Sequence, residues 1–107
     1  KAAEAQIARI FAMENGLHGI RSNMINPDAV FQDSGLWSHE LKEERARAHG
    51  VELEELEDFY RRRNLLQTFI TPNDVADAVL WLAGDHSTRT TGGIISVDGG
   101  VPEAFPR

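Results

Sequence analysis

Two short β-branched runs, Ile20–Ile25 and Ile94–Val97, are the strand candidates in this chain, and a strong helix start lies between them at Thr71-Pro72-Asn73-Asp74. Strands joined through a helix form a βαβ unit, which requires a parallel pair and a right-handed crossover. Parallel strands are normally covered on both faces. Two of them with one good covering helix bury too little apolar area to offset chain entropy, and 107 residues offer no further strand candidate. The expected fold is therefore α/β: the C-terminal part of a larger doubly wound parallel sheet. The first residues agree with a start inside a fold, because Lys1-Ala2-Ala3-Glu4 is already helical in pattern, with no initiator Met, no N-cap and no signal-peptide features.

The remaining elements follow from local chemistry. Ala2, Ala3, Ala5, Ala8 and Ala12 favour a helix from Lys1 to Leu17, with Ala3, Ile7, Ile10 and Phe11 at helical spacing. Alanines on several of its faces predict close packing on both sides, as between a sheet and a partner helix. Asn26-Pro27-Asp28 is expected to end the first strand, since proline lacks a ladder donor. Residues 29–70 form a long charged insertion with two expected helices, Trp37–His49 and Glu52–Arg63, parted by Gly50. In the second, Leu53, Leu56 and Phe59 or Tyr60 share a stripe, and Glu57–Arg61 and Asp58–Arg62 stand at the i,i+4 spacing that supports a helix. In the last helix Val75, Ala76, Val79, Leu80 and Ala83 make one apolar stripe, with Gly84 as its stop. Paired glycines fence the second strand, and the tail with Pro102 and Pro106 is expected to be extended.

Composition removes several classes of function. There is no cysteine, hence no disulfide scaffold and no thiolate metal site. Seventeen acidic against eleven basic residues, a formal charge of −6, disfavour nucleic acid and anionic membranes as partners. No apolar stretch approaches the ~18 residues of a membrane span. A cytoplasmic protein is the expectation. His18, His39, His49 and His86 lack metal-ligand spacing, and the serines form no nucleophile elbow. The acids of Glu52–Asp58 read as a solvated face, while Arg61-Arg62-Arg63 either pairs with them or holds a phosphate or carboxylate. Two places stand out: the proline turn after the first strand, where open α/β sheets bind ligands and where a long insertion begins, and the glycine-fenced second strand.

In that order the motifs resemble the short-chain dehydrogenase/reductase family. Ile20-Arg21-Ser22-Asn23-Met24-Ile25-Asn26-Pro27 is similar to the family's penultimate core strand and its turn, Thr71–Ala76 with Trp81-Leu82-Ala83 to its last long helix, and Thr91–Gly100 to its closing strand. Lys1 falls where the Tyr-x-x-x-Lys motif ends. The resemblance implies a Rossmann-like fold and an NAD or NADP cofactor. It implies that Lys1 is the catalytic lysine, which holds the nicotinamide ribose and lowers the pKa of a tyrosine. It also implies that Pro27 lies beside the nicotinamide and that the backbone of Val30 meets its carboxamide. Asp28 stands in place of the usual glycine, and Gln32 where a threonine is common; both belong to the cofactor-binding stretch, with Asp28 read alternatively as a turn former only. The insertion becomes a substrate lid with Phe31, Trp37 and Tyr60 as candidate walls, or as the lid's own core. The family's glycine-rich loop and its catalytic Asn, Ser and Tyr belong upstream of Lys1, so these residues alone are expected to be inactive and to need the upstream half of the same protein.

Phe31–Trp37, Glu43–Ala46, Tyr60–Arg63 and Gly99–Arg107 further resemble one subgroup, the dehydrogenase half of bifunctional rhamnulose-1-phosphate aldolase/alcohol (lactaldehyde) dehydrogenases of bacterial sugar catabolism. This implies hydride transfer between nicotinamide and a small hydroxy or aldehyde substrate such as lactaldehyde, without a metal, in a homo-oligomer. Two other readings stand beside it: a degenerate module kept for oligomerisation, and an epimerase or dehydratase on the same fold.

Overall fold

The computed structural model describes residues 1–106. In chain order these form α1 (Ala2–Asn15), β1 (Met24–Pro27), α2 (His39–His49), α3 (Leu56–Arg63), α4 (Pro72–Ala83) and β2 (Ile94–Val97), with short 3-10 turns at Gly16–His18, Leu53–Glu55, Asp85–Ser87 and Pro102–Ala104. The strands pair in parallel, from Met24 with Ile94 to Pro27 with Val97, as the βαβ reading requires.

β1 ends inside the expected Asn26-Pro27-Asp28 stretch, but it includes Pro27 as its last residue rather than stopping at Ile25. The Met24 N–H donates to Gly93 O and the Asp28 N–H to Val97 O, at 2.9 and 3.3 Å. Along a parallel strand alternate residues address the same neighbour. Position 27 is out of phase with 24 and 28, so the donor that Pro27 lacks would have pointed away from β2, and the ladder loses nothing. The N-terminal part of the expected strand, Ile20–Asn23, lies outside the ladder and is held by the Gly92 N–H donating to Ser22 O at 2.7 Å and by side chains. Thr91 Oγ1 accepts from the Ser22 N–H at 3.0 Å, and the Asn23 amide donates to Thr90 O and accepts from the Gly93 N–H.

The helices start and stop where the chemistry allows. Thr71 and Asp74 form a reciprocal capping box at the head of α4, with Pro72 in its first turn. Ser38 caps α2 by accepting from the Leu41 N–H, and Gly50, in the left-handed region at φ 67°, ends it. Arg21 closes the other end of α4: its guanidinium donates to Gly84 O, Thr90 O and the hydroxyl of Ser87, and Ser87 in turn bonds the carbonyls of Trp81 and Leu82. The tail departs from the extended form expected of it, because Pro102–Ala104 takes a 3-10 turn closed by Ala104 N–H to Val101 O. Pro102 is compatible with that first turn, since its missing N–H would be unpaired there.

The only buried hydrophobic cluster among the described residues lies in the insertion: Ala46, Leu56 and Tyr60, ringed by Ala29, Phe31, Trp37, Val51 and Phe59. The sheet itself is only half covered. On α1, Ala12 alone is buried while Ile7, Ile10 and Phe11 are exposed, and α4 exposes Val79, Leu80 and Trp81. The two-sided packing expected of α1 is thus not supplied within these residues. The radius of gyration of 16.2 Å exceeds the ~13 Å of a compact chain of this length, and the extents of 51 × 27 × 26 Å show an elongated shape.

Candidate active site at the carboxyl ends of the strands

The parallel register brings the carboxyl ends of β1 and β2 side by side, Pro27-Asp28 next to Val97-Asp98. Both then turn sharply. Ala29, directly after Asp28, is left-handed at φ 55°, as are Gly99 and Gly100 at 72° and 82°. Buried Asp98 helps shape its turn by accepting the Gly100 N–H at 2.8 Å.

The segment after α3 is strapped across this edge. Leu65 and Leu66 donate their N–H groups to Gly100 O and Gly99 O at 2.8 and 3.0 Å. Asn64, 5% exposed, folds its amide onto Thr68, donating to its carbonyl at 2.9 Å and accepting from its N–H at 3.2 Å. A Cβ on Gly99 would lie 2.5 Å from Asn64 Oδ1, so glycine is required for the approach as well as for the backbone angle.

Two open clefts border the edge. One of about 520 Å³ is lined by Leu65, Leu66, Ile70 and the Ser96–Gly100 turn. The other, about 380 Å³, is lined by Ala29, Phe31, Gln32, Glu57 and Phe69–Thr71. Pro27 and Gln32 are exposed, and Asp28 and Val30 are half-buried. Lys1 is exposed at the start of α1. The other end of that helix lies at the amino edge of the strands, where Ala12 Cβ stands 3.8 Å from the place of a Cβ on Gly92. Fourteen helical residues, about 20 Å, separate the two ends.

Phe31, Trp37 and Tyr60 are brought together. Phe31 and Trp37 stack with centroids 4.2 Å apart, and Tyr60 meets both edge-on at 5.6 Å. His49 Nε2 lies 3.1 Å from the Tyr60 hydroxyl. These rings form the core of the insertion, with Tyr60 buried; Phe31 also borders the smaller cleft.

The arginine run divides its partners in a way that spacing did not show. Asp58 takes both Arg61 and Arg62, at 2.6 and 3.0 Å, while Glu57 faces Lys42 at 4.0 Å. Arg63 turns away from the helix acids to pair with Asp28 at 2.5 Å, and its guanidinium lies 4.4 Å over the Tyr60 ring. Asp28 thus does more than form a turn. The sequence marks Arg63 only as a member of the Arg61-Arg62-Arg63 run and Asn64 not at all. Asp28, the partner of Arg63, lies 35 residues away, and Asn64, which bonds Thr68 four residues on, packs against Gly99 at the same separation of 35, beyond any periodic pattern. The one available hint was an Arg and an Asn closing a helix with no glycine stop.

The family model described as enoyl-(acyl carrier protein) reductase matches residues 1–102. A short-chain dehydrogenase family protein from Francisella tularensis superposes with a TM-score of 0.76 at 29% identity, over 92% of this chain and 40% of its own. The chain belongs to the short-chain dehydrogenase/reductase family. Among curated relatives, the uncharacterized oxidoreductase YuxG of Bacillus subtilis is 48% identical over all 107 residues, which span 16% of that protein. A 4-hydroxyisoleucine dehydrogenase mutant solved with NADH and succinate is 25% identical, with a TM-score of 0.68 over 95% of this chain and 37% of its own. The chain therefore spans well under half the length of these proteins. Within the family fold, β1 and β2 are adjacent parallel strands, and the insertion sits at their carboxyl ends.

Proposed function

We propose that this chain supplies the lysine, the carboxyl-terminal strand edge and the substrate lid of a nicotinamide-dependent oxidoreductase acting on a small hydroxy or aldehyde substrate. The observation that carries the reading is the parallel register, which sets Pro27-Asp28 beside Val97–Gly100 and opens the edge into a cleft walled by Phe31, Phe69 and Ile70 with the amide of Gln32. Its apolar walls suit a nicotinamide ring, and the Gln32 amide and the Glu57 carboxylate, which also line it, are groups that can bond the carboxamide. In this reading Pro27, Asp28, Val30 and Gln32 hold the nicotinamide half of NAD or NADP, and Lys1 contributes the charge at the ribose. When bound, the nicotinamide supplies the acceptor or donor of a hydride.

The residues of this chain have separate tasks. The Lys1 ammonium favours the ionised form of a nearby tyrosine hydroxyl and so eases proton exchange with the substrate oxygen. Phe31 walls the cleft, while Trp37 and Tyr60 stiffen the lid behind it and help exclude water.

For the substrate we favour lactaldehyde, within a bifunctional aldolase/dehydrogenase of bacterial rhamnose catabolism. The support is the subgroup resemblance, together with the span of the match. The chain covers 16% of the 48%-identical B. subtilis protein but 31–36% of the other curated relatives, which makes that protein about twice their length and leaves room for a second catalytic unit. The test is a fluorescence titration of the intact protein with NADH and NADPH, followed by turnover with lactaldehyde. Saturable binding and reduction are expected. Absence of saturable binding to either nucleotide refutes the oxidoreductase reading and favours a module kept for assembly. Binding without lactaldehyde turnover refutes only the substrate.

A further inference from the structure

The insertion joins the sheet through two stems, and each contains a non-glycine residue in the left-handed region: Ala29 at φ 55° and Gln67 at φ 50°. Such residues keep that conformation only where the surroundings hold it. The clamps are consecutive residues at the end of α3. Beside Ala29, Arg63 Nη2 donates to Asp28 Oδ2 at 2.5 Å. Beside Gln67, Asn64 grips Thr68 through both its amide atoms. The clamp on the first stem is an ion pair, and it is less exposed than a free surface pair: the two side chains are 30% and 38% exposed. The Arg63 guanidinium is further pressed on the Tyr60 ring, and its Nε is buried with no partner among the described residues. Asp28 is thus the group that compensates a partly desolvated cation, and releasing it would leave that charge poorly solvated.

We propose that Arg63 is a positioning residue: it latches the 29–70 insertion to the strand edge by its ion pair with Asp28, so that the lid and the turn after Pro27 move as one unit. The proposal rests on the reading of the insertion as a lid over a nicotinamide site and assigns the residue pair that sets its position. Because Asp28 is bonded directly to Pro27 on one side and Ala29 on the other, opening the lid by rotation about Ala29 must break this pair. Arg63 touches none of the groups assigned to proton transfer and acts through Asp28.

The test uses the intact protein. NADH titration comes first: failure of the wild-type protein to bind refutes the nicotinamide reading and leaves the latch without a function. In a protein that binds NADH, thermolysin cleavage within residues 29–70 reads the latch directly. Arg63→Met and Asp28→Asn are each expected to speed cleavage about fivefold. The exchanged pair Asp28→Arg with Arg63→Asp is expected to return at least half of that loss, a rescue that a generally weakened fold would not give. Wild-type cleavage rates in both single variants, or an exchanged pair no better than either, overturn the proposal. Should Arg63→Met not fold, salt decides on the wild type against Asp28→Asn. Screening from about 0.05 to 1 M NaCl should accelerate cleavage in the former and not in the latter, and equal responses overturn the latch.

Discussion

Gly99→Ala tests the strap that crosses the carboxyl edge of the sheet. The substitution meets two separate costs. At φ 72° an alanine sits in the left-handed region, which costs about 1 kcal/mol relative to glycine. Its Cβ would also stand 2.5 Å from Asn64 Oδ1 and 2.6 Å from Asn64 Cγ, closer than any tolerated contact. Asn64 is buried, so it cannot swing into water without surrendering both hydrogen bonds to Thr68, each worth about 1 kcal/mol net. The expected destabilisation is about 3 kcal/mol, or a fall in Tm of roughly 6–12 °C for a domain of 150–250 residues. The assay is thermal unfolding of the intact protein, with hydrogen exchange at the Thr68 amide. Asn64→Ala combined with Gly99→Ala should cost less than the two singly, because the two contacts below 3 Å go with the amide and only Cβ of residue 64, at 3.1 Å, still crowds the added carbon. Gly16→Ala is the control: its backbone is helical at φ −58° and nothing stands within 4 Å of the added carbon, so it should be neutral or slightly stabilising. A Gly99→Ala protein that melts within a degree of wild type, with Thr68 exchange unchanged, refutes the close-approach argument.

Other outcomes follow from single contacts. Ser87→Ala removes a buried hydroxyl shared by Arg21 and the last carbonyls of α4, and should cost about 1–3 kcal/mol in urea unfolding. The Thr71 backbone N–H and hydroxyl hold the Asp74 carboxyl below its ordinary 3.8. A depressed folded-state value gives stability that is present above the unfolded value and lost as pH falls through the folded one. Asp74→Asn should therefore be the less stable protein near neutrality, with the gap to wild type closing below about pH 4; a constant gap in urea midpoints would contradict this. Lys1→Met in the intact protein should lower NADH-dependent turnover by about 100-fold while the fold persists, as read by initial rates beside a melting curve.

Much of the architecture was readable because it is written in local chemistry. Thr71, Pro72 and Asp74 make a helix start wherever they occur, and Ile94–Val97 between paired glycines makes a short strand. The parallel relation of the two strands followed from the helix that must connect them. The site was legible in part: the turn at Pro27 and the insertion behind it were marked by position alone. What escaped was long-range. The alternation of donors that lets β1 run through Pro27 depends on which side β2 occupies. The choice of Arg63 for Asp28, while Arg61 and Arg62 share Asp58, depends on how α3 is rotated against the sheet edge. Spacing along the helix gives Arg61 and Arg62 acids four residues back and Arg63 only Phe59, so it leaves Arg63 without a helix partner but cannot name Asp28.

Sequence by itself thus determined the kinds of element, their caps and stops, the α/β class and the family, because each rests on contacts between residues a few positions apart or on a motif order. Tertiary structure alone decided that the rings of Phe31, Trp37 and Tyr60 pack into one core, that Asn64 needs glycine at position 99, and that Asp28 meets Arg63. Those are pairings across 35 residues or across two elements, and their energies exist only once the chain has brought the partners within a few ångströms.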